Sequence, residues 1–136
     1  MKLPSAFIKL PLRFDAERLA EEASQFFEAD WTYHPLRHTG NTALALVSAN
    51  GEVNDHYVGE MKSTSALQRC PYIVQTMAKF QTVVGRSRLM RLGAGTDVPS
   101  HSDGHYTWRN RVRIHIPIIT HPDITFSSVG NINVHM

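Results

Sequence analysis

The chain has 136 residues, a formal net charge of +2, and 42% hydrophobic against 19% charged residues. This composition is that of an ordinary globular protein, and the length allows one domain with a real core. The small charge, with no Lys/Arg cluster, argues against a nucleic-acid partner. No apolar run approaches the ~20 residues of a membrane span and no signal peptide is recognisable, so we expect no membrane association and a cytoplasmic location.

The N-terminal part predicts an extended segment and an amphipathic helix. Residues 3–12 are expected to form a strand that ends near Pro11. Asp15 is the predicted N-cap of a helix that runs to about Ala29. Apolar residues recur at helical spacing on one face of this helix, opposite several glutamates. The apolar positions are Leu19, Ala20, Ala23, Phe26 and Phe27.

A loop-rich stretch and a strand follow. Residues 31–40 are predicted to be a loop because Pro35 disfavours a helix there. Thr42 to Ser48 reads as a strand, and Asn50-Gly51 as a turn after it. In the polar stretch that follows, the dipeptide Asp55-His56 has two interpretations, a metal site or, more simply, a solvated loop.

The rest of the chain alternates short elements with turns. Pro71 suits the first turn of a helix from Tyr72 to Phe80. A strand is predicted from Arg88 to Leu92, after which Gly93 and Gly95 allow a sharp turn. Residues 120–123 predict a further turn, followed by short strands at 124–126 and 131–136. Cys70, the single cysteine, excludes an internal disulfide and is expected to be buried or half-buried.

His101-Ser102-Asp103 is the candidate metal motif. In an extended chain two residues at this spacing point to the same side, so both side chains can reach one ion. A histidine and a carboxylate are two of the three protein ligands in the facial triad that holds non-haem Fe(II). The tripeptide alone is also compatible with two solvated loop residues.

Residues 111–118 alternate in polarity. Arg111, Arg113 and His115 occupy one side of the predicted strand, and the other side is apolar. The polar side can be an exposed sheet face with basic residues. Arginine beside histidine also suits a fork that grips a carboxylate with a second donor next to it.

The run RLMRLGAGTDVPSHSDGHYTWRNRVRIHIPI, together with the residues VHM at 134–136, resembles the aspartyl/asparaginyl β-hydroxylase-like family of Fe(II)/2-oxoglutarate dioxygenases. The resemblance is clear from about Arg86 onwards and looser upstream. It implies that helices pack on a mainly β core, a double-stranded β-helix of the jelly-roll type. Residues 1–136 would then be a single dioxygenase-like domain, with residues 1–85 as its helix-containing part and 86–136 as the start of the jelly roll.

The same resemblance implies an enzyme with Fe(II) and 2-oxoglutarate as cofactors. It would hydroxylate an amino acid, peptide or protein side chain and release succinate and CO₂. The implied iron ligands are His101 and Asp103, and Arg113 and His115 would bind 2-oxoglutarate. The presence of Asp103 places the chain nearer the bacterial small-molecule hydroxylases than the protein-directed members. Weaker candidates for substrate contact are Trp108, Arg109, Arg111, Arg37 and His38.

The third ligand of the triad is expected beyond Met136, because the family's distal histidine follows the VHM strand by a turn and a further strand. The chain therefore reads as C-terminally truncated. An alternative function is a non-catalytic jelly-roll fragment or binding module that lacks the distal ligand. The sequence does not identify the substrate, the hydroxylated carbon, the stereochemistry or the oligomeric state.

Overall fold

The computed structural model describes residues 7–33, 40–102, 104–128 and 132–135. For residues 128 and 132–135 it describes the backbone alone. The chain divides into two compact units. One comprises residues 21–102, and the other comprises residues 1–20 together with 103–136. The expectation that residues 1–136 form a single dioxygenase-like domain stays a prediction.

Residues 21–102 contain an antiparallel sheet built around one long strand. Its strands are β1 (Thr32–Tyr33), β2 (Asn41–Ala49), β3 (Met61–Ser63) and β4 (Ser87–Leu92). The start of β2 pairs with β1, its end pairs with β3, and β4 pairs along most of its length. Eight of the nine residues of β2 are buried, so this strand is covered on both faces and forms the centre of the unit.

The predicted central strand and its turn are confirmed. Asn50 and Gly51 have φ values of 60° and 74°, the left-handed conformation that an Asn-Gly turn requires. Thr64 lies just before the short helix α2 (Ser65–Gln68), where its hydroxyl accepts a bond from the amide of Leu67 and donates one to the carbonyl of Ala45 at 2.8 Å. This buried threonine therefore caps α2 and ties it to β2.

Helix α1 (Ala16–Ser24) has the predicted start but a different end. The Asp15 carboxylate accepts bonds from the amides of Glu17 and Arg18 at 3.1 and 3.2 Å, as an N-cap should. The prediction that this helix reaches Ala29 is wrong. The Ser24 hydroxyl binds a carbonyl of the last turn at 2.8 Å, competing with continued helical bonding. Phe27 consequently lies outside the helix and is exposed, whereas Phe26 is buried.

Helix α3 (Pro71–Ala78) confirms the helix predicted after Cys70, and a distant residue caps it. The N-cap residue, Cys70, makes no side-chain capping bond. Instead the Glu22 carboxylate accepts bonds from the amides of Tyr72 and Ile73 at 2.7 and 2.8 Å. These are two of the amides that a helix start leaves without an intrahelical partner, and the anion also suits the positive end of the helix dipole.

We therefore expect Glu22→Ala to lower the free energy of unfolding by about 1–3 kcal/mol, because two amide donors lose a charged acceptor. Urea denaturation followed by circular dichroism measures this change. Glu21→Ala, at the exposed neighbouring position, is the matched control and should change stability by less than about 0.5 kcal/mol. Equal effects of the two substitutions would contradict a capping role for Glu22.

The described residues of the other unit, 1–20 with 103–136, contain little regular structure. A 3-10 helix spans Tyr106–Asn110, and a hairpin is formed by β5 (Thr125–Ser128) and β6 (Ile132–His135). The predicted turn before β5 is confirmed by the bond from the amide of Ile124 to the carbonyl of His121 at 2.9 Å. The two predicted C-terminal strands are therefore both present, shifted by a residue or two.

The strand predicted at residues 111–118 is absent from this described segment, which lies outside any helix or strand. Val112 and Ile114, expected to face a core, are 44% and 42% exposed, and only Ile116 and Ile118 are half-buried. Alternating polarity favours a strand only where another strand supplies backbone partners. Residues 7–12, the described part of the strand predicted at 3–12, likewise do not form a strand.

The described residues therefore form a mixed fold of helices and antiparallel sheet. No helix among them has the length and apolar character needed to cross a lipid bilayer.

Candidate functional site

A glycine turn leads from the sheet to the candidate metal motif. After β4, the amide of Gly93 donates to the carbonyl of Gly40 at 2.8 Å, and the amide of Thr96 closes a turn onto Gly93. Gly40 has a φ of +78°, and a Cβ built there would lie 2.3 Å from the Thr96 hydroxyl oxygen. A side chain at position 40 would be strained at this φ and would displace the Thr96 hydroxyl, so glycine is strongly favoured where the chain leaves β4.

The imidazole of His101 is oriented by the backbone just before it. Its Nδ1 lies 2.9 Å from the carbonyl oxygen of Pro99. A carbonyl only accepts, so Nδ1 carries the proton and, in the neutral ring, Nε2 carries the lone pair. Metal-binding histidines commonly show this arrangement, in which the far nitrogen donates to a carbonyl and the near nitrogen binds the ion. The exposed ring of His101 thus fits a metal ligand that binds through Nε2.

The rest of the expected metal site is only partly within the described residues. Asp103 lies outside the described residues, as do Arg37 and His38. Among the residues that are described, no group of three His, Cys, Asp or Glu side chains could hold a metal ion. Two of the described histidines downstream, His105 and His121, make local hydrogen bonds. Nδ1 of His105 accepts from the amide of Thr107 at 3.4 Å, and Nδ1 of His121 accepts from that of Asp123 at 3.3 Å.

Arg113 and His115, the predicted 2-oxoglutarate residues, each pack against an aromatic ring. The Arg113 guanidinium lies 4.6 Å from the ring centroid of Trp108, a cation–π contact. The His115 ring lies 4.9 Å from that of Phe126. Trp108, a weaker substrate candidate, thus supports Arg113, whereas Arg109 and Arg111 are exposed.

The pKa of His115 is lowered from its ordinary value of 6.5. Burial of the imidazole is the larger cause, and the positive charge of Arg113 is the second. Although the residue as a whole counts as exposed, its ring is covered by Phe126, which explains the desolvation. His115 is therefore neutral at neutral pH and can donate a hydrogen bond without adding charge.

The lowered pKa predicts a pH dependence of stability. As pH falls through 6.5, the unfolded chain takes up a proton at position 115 before the folded chain does, so unfolding is favoured. The loss grows until pH passes below the lowered pKa of the folded state. We expect the melting temperature to fall more in the wild type than in His115→Gln between about pH 7.5 and 5.5. Parallel pH profiles of the two proteins, measured by scanning calorimetry, would rule out this account.

Sequence patterns did not predict a further charged cluster in residues 21–102. The Asp55 carboxylate pairs with both Arg86 and Arg88, the second pair at 3.0 Å. The Arg86 guanidinium also stacks 4.1 Å from the ring centroid of Tyr57. Asp55 and His56 lie in a loop, as the simpler interpretation of this dipeptide expects, and Asp55 there serves as the counter-ion of two arginines. Arg86 and Arg88 are two positions apart and therefore lie on one side of the chain. No local sequence pattern shows, however, that Asp55, 31 residues before Arg86, is their partner.

The sequence profile of the aspartyl/asparaginyl beta-hydroxylase family matches residues 12–136. The match covers most of the chain, so the chain belongs to the aspartyl/asparaginyl beta-hydroxylase family. It extends well upstream of Arg86, where the sequence motifs alone are looser. No curated protein and no solved structure matches the chain at a significant level.

Proposed function

We propose that the protein is an Fe(II)- and 2-oxoglutarate-dependent hydroxylase of an amino acid or a peptide. The observation that carries this proposal is the bond between His101 Nδ1 and the Pro99 carbonyl. This bond leaves the lone pair of the neutral His101 ring on Nε2, where it can bind a metal ion. His101 is the first residue of an H-x-D motif, and the chain belongs to a hydroxylase family. His101 and Asp103 are then two protein ligands of a 2-His-1-carboxylate triad.

Arg113 and His115 are the residues we assign to 2-oxoglutarate. A guanidinium pairs with a carboxylate through two parallel bonds, and the Trp108 ring restricts the positions that Arg113 can take. Neutral His115 adds one N–H donor without competing for the anion's charge. Two residues apart on one segment, they can act on a single carboxylate.

The proposed reaction consumes O₂ and 2-oxoglutarate, and it converts a substrate C–H bond to C–OH with release of succinate and CO₂. One oxygen atom enters the substrate and the other enters succinate. Bound Fe(II) would supply the activation of O₂. The chain's own share is to orient the metal ligand, the 2-oxo acid and the substrate.

Two finer features belong to the same proposal. We propose that the fold is a double-stranded β-helix, and that the antiparallel strands described above are part of it. We also propose a cytoplasmic enzyme, consistent with one cysteine in the chain, and a small-molecule or peptide substrate rather than nucleic acid.

The proposal is tested by incubating the purified protein with Fe(II), 2-oxoglutarate, ascorbate and a panel of the twenty free amino acids. Succinate is then quantified by chromatography. We expect succinate formation that requires both Fe(II) and 2-oxoglutarate and that rises with at least one amino acid. Succinate levels equal to those of a metal-free control for every panel member would favour a non-catalytic binding module.

A further inference from the structure

Two aromatic side chains lie behind the imidazole of His115. The ring of Phe126 packs on it, with 4.9 Å between the ring centroids and 57° between the ring planes. Phe7 packs edge-on against Phe126, with 5.7 Å between the centroids and 86° between the planes. Tilted and edge-to-face contacts of this kind are favoured between aromatic rings. We call these three residues, in the order His115, Phe126, Phe7, the His115 cluster.

The backbone around His115 does not by itself fix the direction of the imidazole. Residues 111–118 lie outside any helix or strand, and no strand among the described residues pairs with them. A residue in a sheet takes its side-chain direction from the pleat and from paired neighbours, and His115 has no such ladder within the described part of the chain. Phe126, by contrast, belongs to β5 and pairs with Val134 of β6. The hairpin therefore supplies the surface against which the imidazole is held.

Phe7 differs from its neighbours in the N-terminal segment. It is half-buried, whereas Ile8 and Leu10 are 47% and 45% exposed. The family profile matches residues 12–136, so Phe7 lies before the matched residues. The His115 cluster therefore connects a residue outside the family profile to a residue that we assign to 2-oxoglutarate.

The surroundings of the imidazole separate the effect of the rings from the effect of charge. Arg113, on the same segment, is the charged residue that acts on the pKa of His115, and burial is the larger cause of its lowering. Strand β5 carries no charged residue, and Asp123 in the turn before it pairs with His121 at 3.3 Å. In the N-terminal segment, Lys9 is the charged residue nearest to Phe7 in sequence. Removing a ring from the cluster changes burial and leaves all these charges in place.

We propose that Phe126, supported by Phe7, is a positioning residue that holds His115 in place for 2-oxoglutarate, so that the N-terminal segment contributes to the 2-oxoglutarate site. This statement rests on the proposed function. Phe126 acts through His115, and Phe7 acts through Phe126. Without either ring the imidazole gains freedom to move and to hydrate, and its N–H donor must be ordered again each time 2-oxoglutarate binds.

The first measurement follows the imidazole itself, without metal or 2-oxoglutarate. The histidine Cε1–H signals of ¹³C-labelled protein are recorded by NMR against pH, and His115→Gln identifies the signal of position 115. We expect Phe126→Ala to raise the pKa of His115 toward 6.5, because the ring that desolvates the imidazole is gone. Phe7→Ala should raise the pKa in the same direction by a smaller amount. Ile8→Ala is the matched control at the exposed neighbouring position and should leave the pKa as in the wild type.

The second measurement is a titration of the same proteins with 2-oxoglutarate at saturating Zn(II), a diamagnetic ion in place of Fe(II). We expect the His115 signal of the wild type to shift as 2-oxoglutarate binds. Phe126→Ala should raise the Kd for 2-oxoglutarate about two- to twelvefold, which corresponds to the loss of one aromatic pair. Phe7→Ala should raise the Kd in the same direction, and Ile8→Ala should bind as the wild type does.

The two measurements distinguish failure of this proposal from failure of the proposed function. An unchanged pKa of His115 in both ring variants would overturn the proposal. So would a raised pKa combined with the wild-type Kd, and that result would leave the hydroxylase proposal intact. If 2-oxoglutarate did not move the His115 signal of the wild type, the assignment of His115 to 2-oxoglutarate would fall, and the positioning role with it. The results for Phe7→Ala decide the question even if Phe126→Ala does not fold.

Discussion

His101→Ala should lower 2-oxoglutarate-dependent succinate formation at least about 100-fold, because the substitution removes the proposed metal ligand outright, and even the loss of a supporting residue around a metal costs 10–100-fold. The fold should survive, since His101 is exposed. Circular dichroism and the melting temperature check that point. Succinate formation at saturating Fe(II) and 2-oxoglutarate measures the activity.

His121→Ala supplies the matched control. His121 is also exposed and also bonded locally, to Asp123, but it lies in the turn before β5. Its replacement should leave succinate formation within about twofold of the wild type. If His101→Ala retained the wild-type rate, the assignment of His101 as a ligand through Nε2 would have to be abandoned.

Asp55→Ala should be the most destabilising of the surface-accessible substitutions. It would leave the Arg86 guanidinium, 10% exposed, without its carboxylate and with Arg88 as a like-charged neighbour. Breaking a buried ion pair from one side costs about 3–5 kcal/mol, and the 40% exposure of Asp55 reduces this to about 2–4 kcal/mol. Chemical denaturation measures the difference in unfolding free energy.

Glu60→Ala is the comparison for this stability effect. Glu60 pairs with Lys62 at 2.9 Å, but both side chains are more than half exposed. An exposed pair contributes about 0–1 kcal/mol, so this variant should be close to the wild type. Restoring stability in Asp55→Ala by adding the second change Arg86→Met would show that the cost came from the uncompensated guanidinium. A loss of less than about 1 kcal/mol in Asp55→Ala would mean that water already solvates Arg86.

Elements whose signals are local were predictable from the sequence. The strand β2 follows from its apolar run and the Asn-Gly turn that ends it, and α3 follows from Pro71 and an apolar face. The start of α1 follows from Asp15, whose carboxylate needs only the next few amides. The bond from His101 to Pro99 is also local, with one residue between the donor and acceptor positions.

What could not be predicted depends on residues far apart in the chain. Residues 111–118 alternate as a strand does, yet alternation says nothing about whether a partner strand lies beside them. The acidic partner of Arg86 is 31 residues away, and the cap of α3 is 50 residues before Tyr72. In each case the residue type was visible, but only the tertiary fold determines what it pairs with.

The Glu22 cap joins α1 to α3, and Cys70 lies at that junction. Its thiol is fully buried and contacts the Gln25 side chain at 3.5 Å. Burial, and secondarily the Glu22 carboxylate, raise the pKa of the Cys70 thiol to about 11. At neutral pH the reactive thiolate is therefore much rarer while Cys70 stays buried beside Glu22 than after it becomes exposed. The rate of alkylation at Cys70 thus reports how often this junction opens.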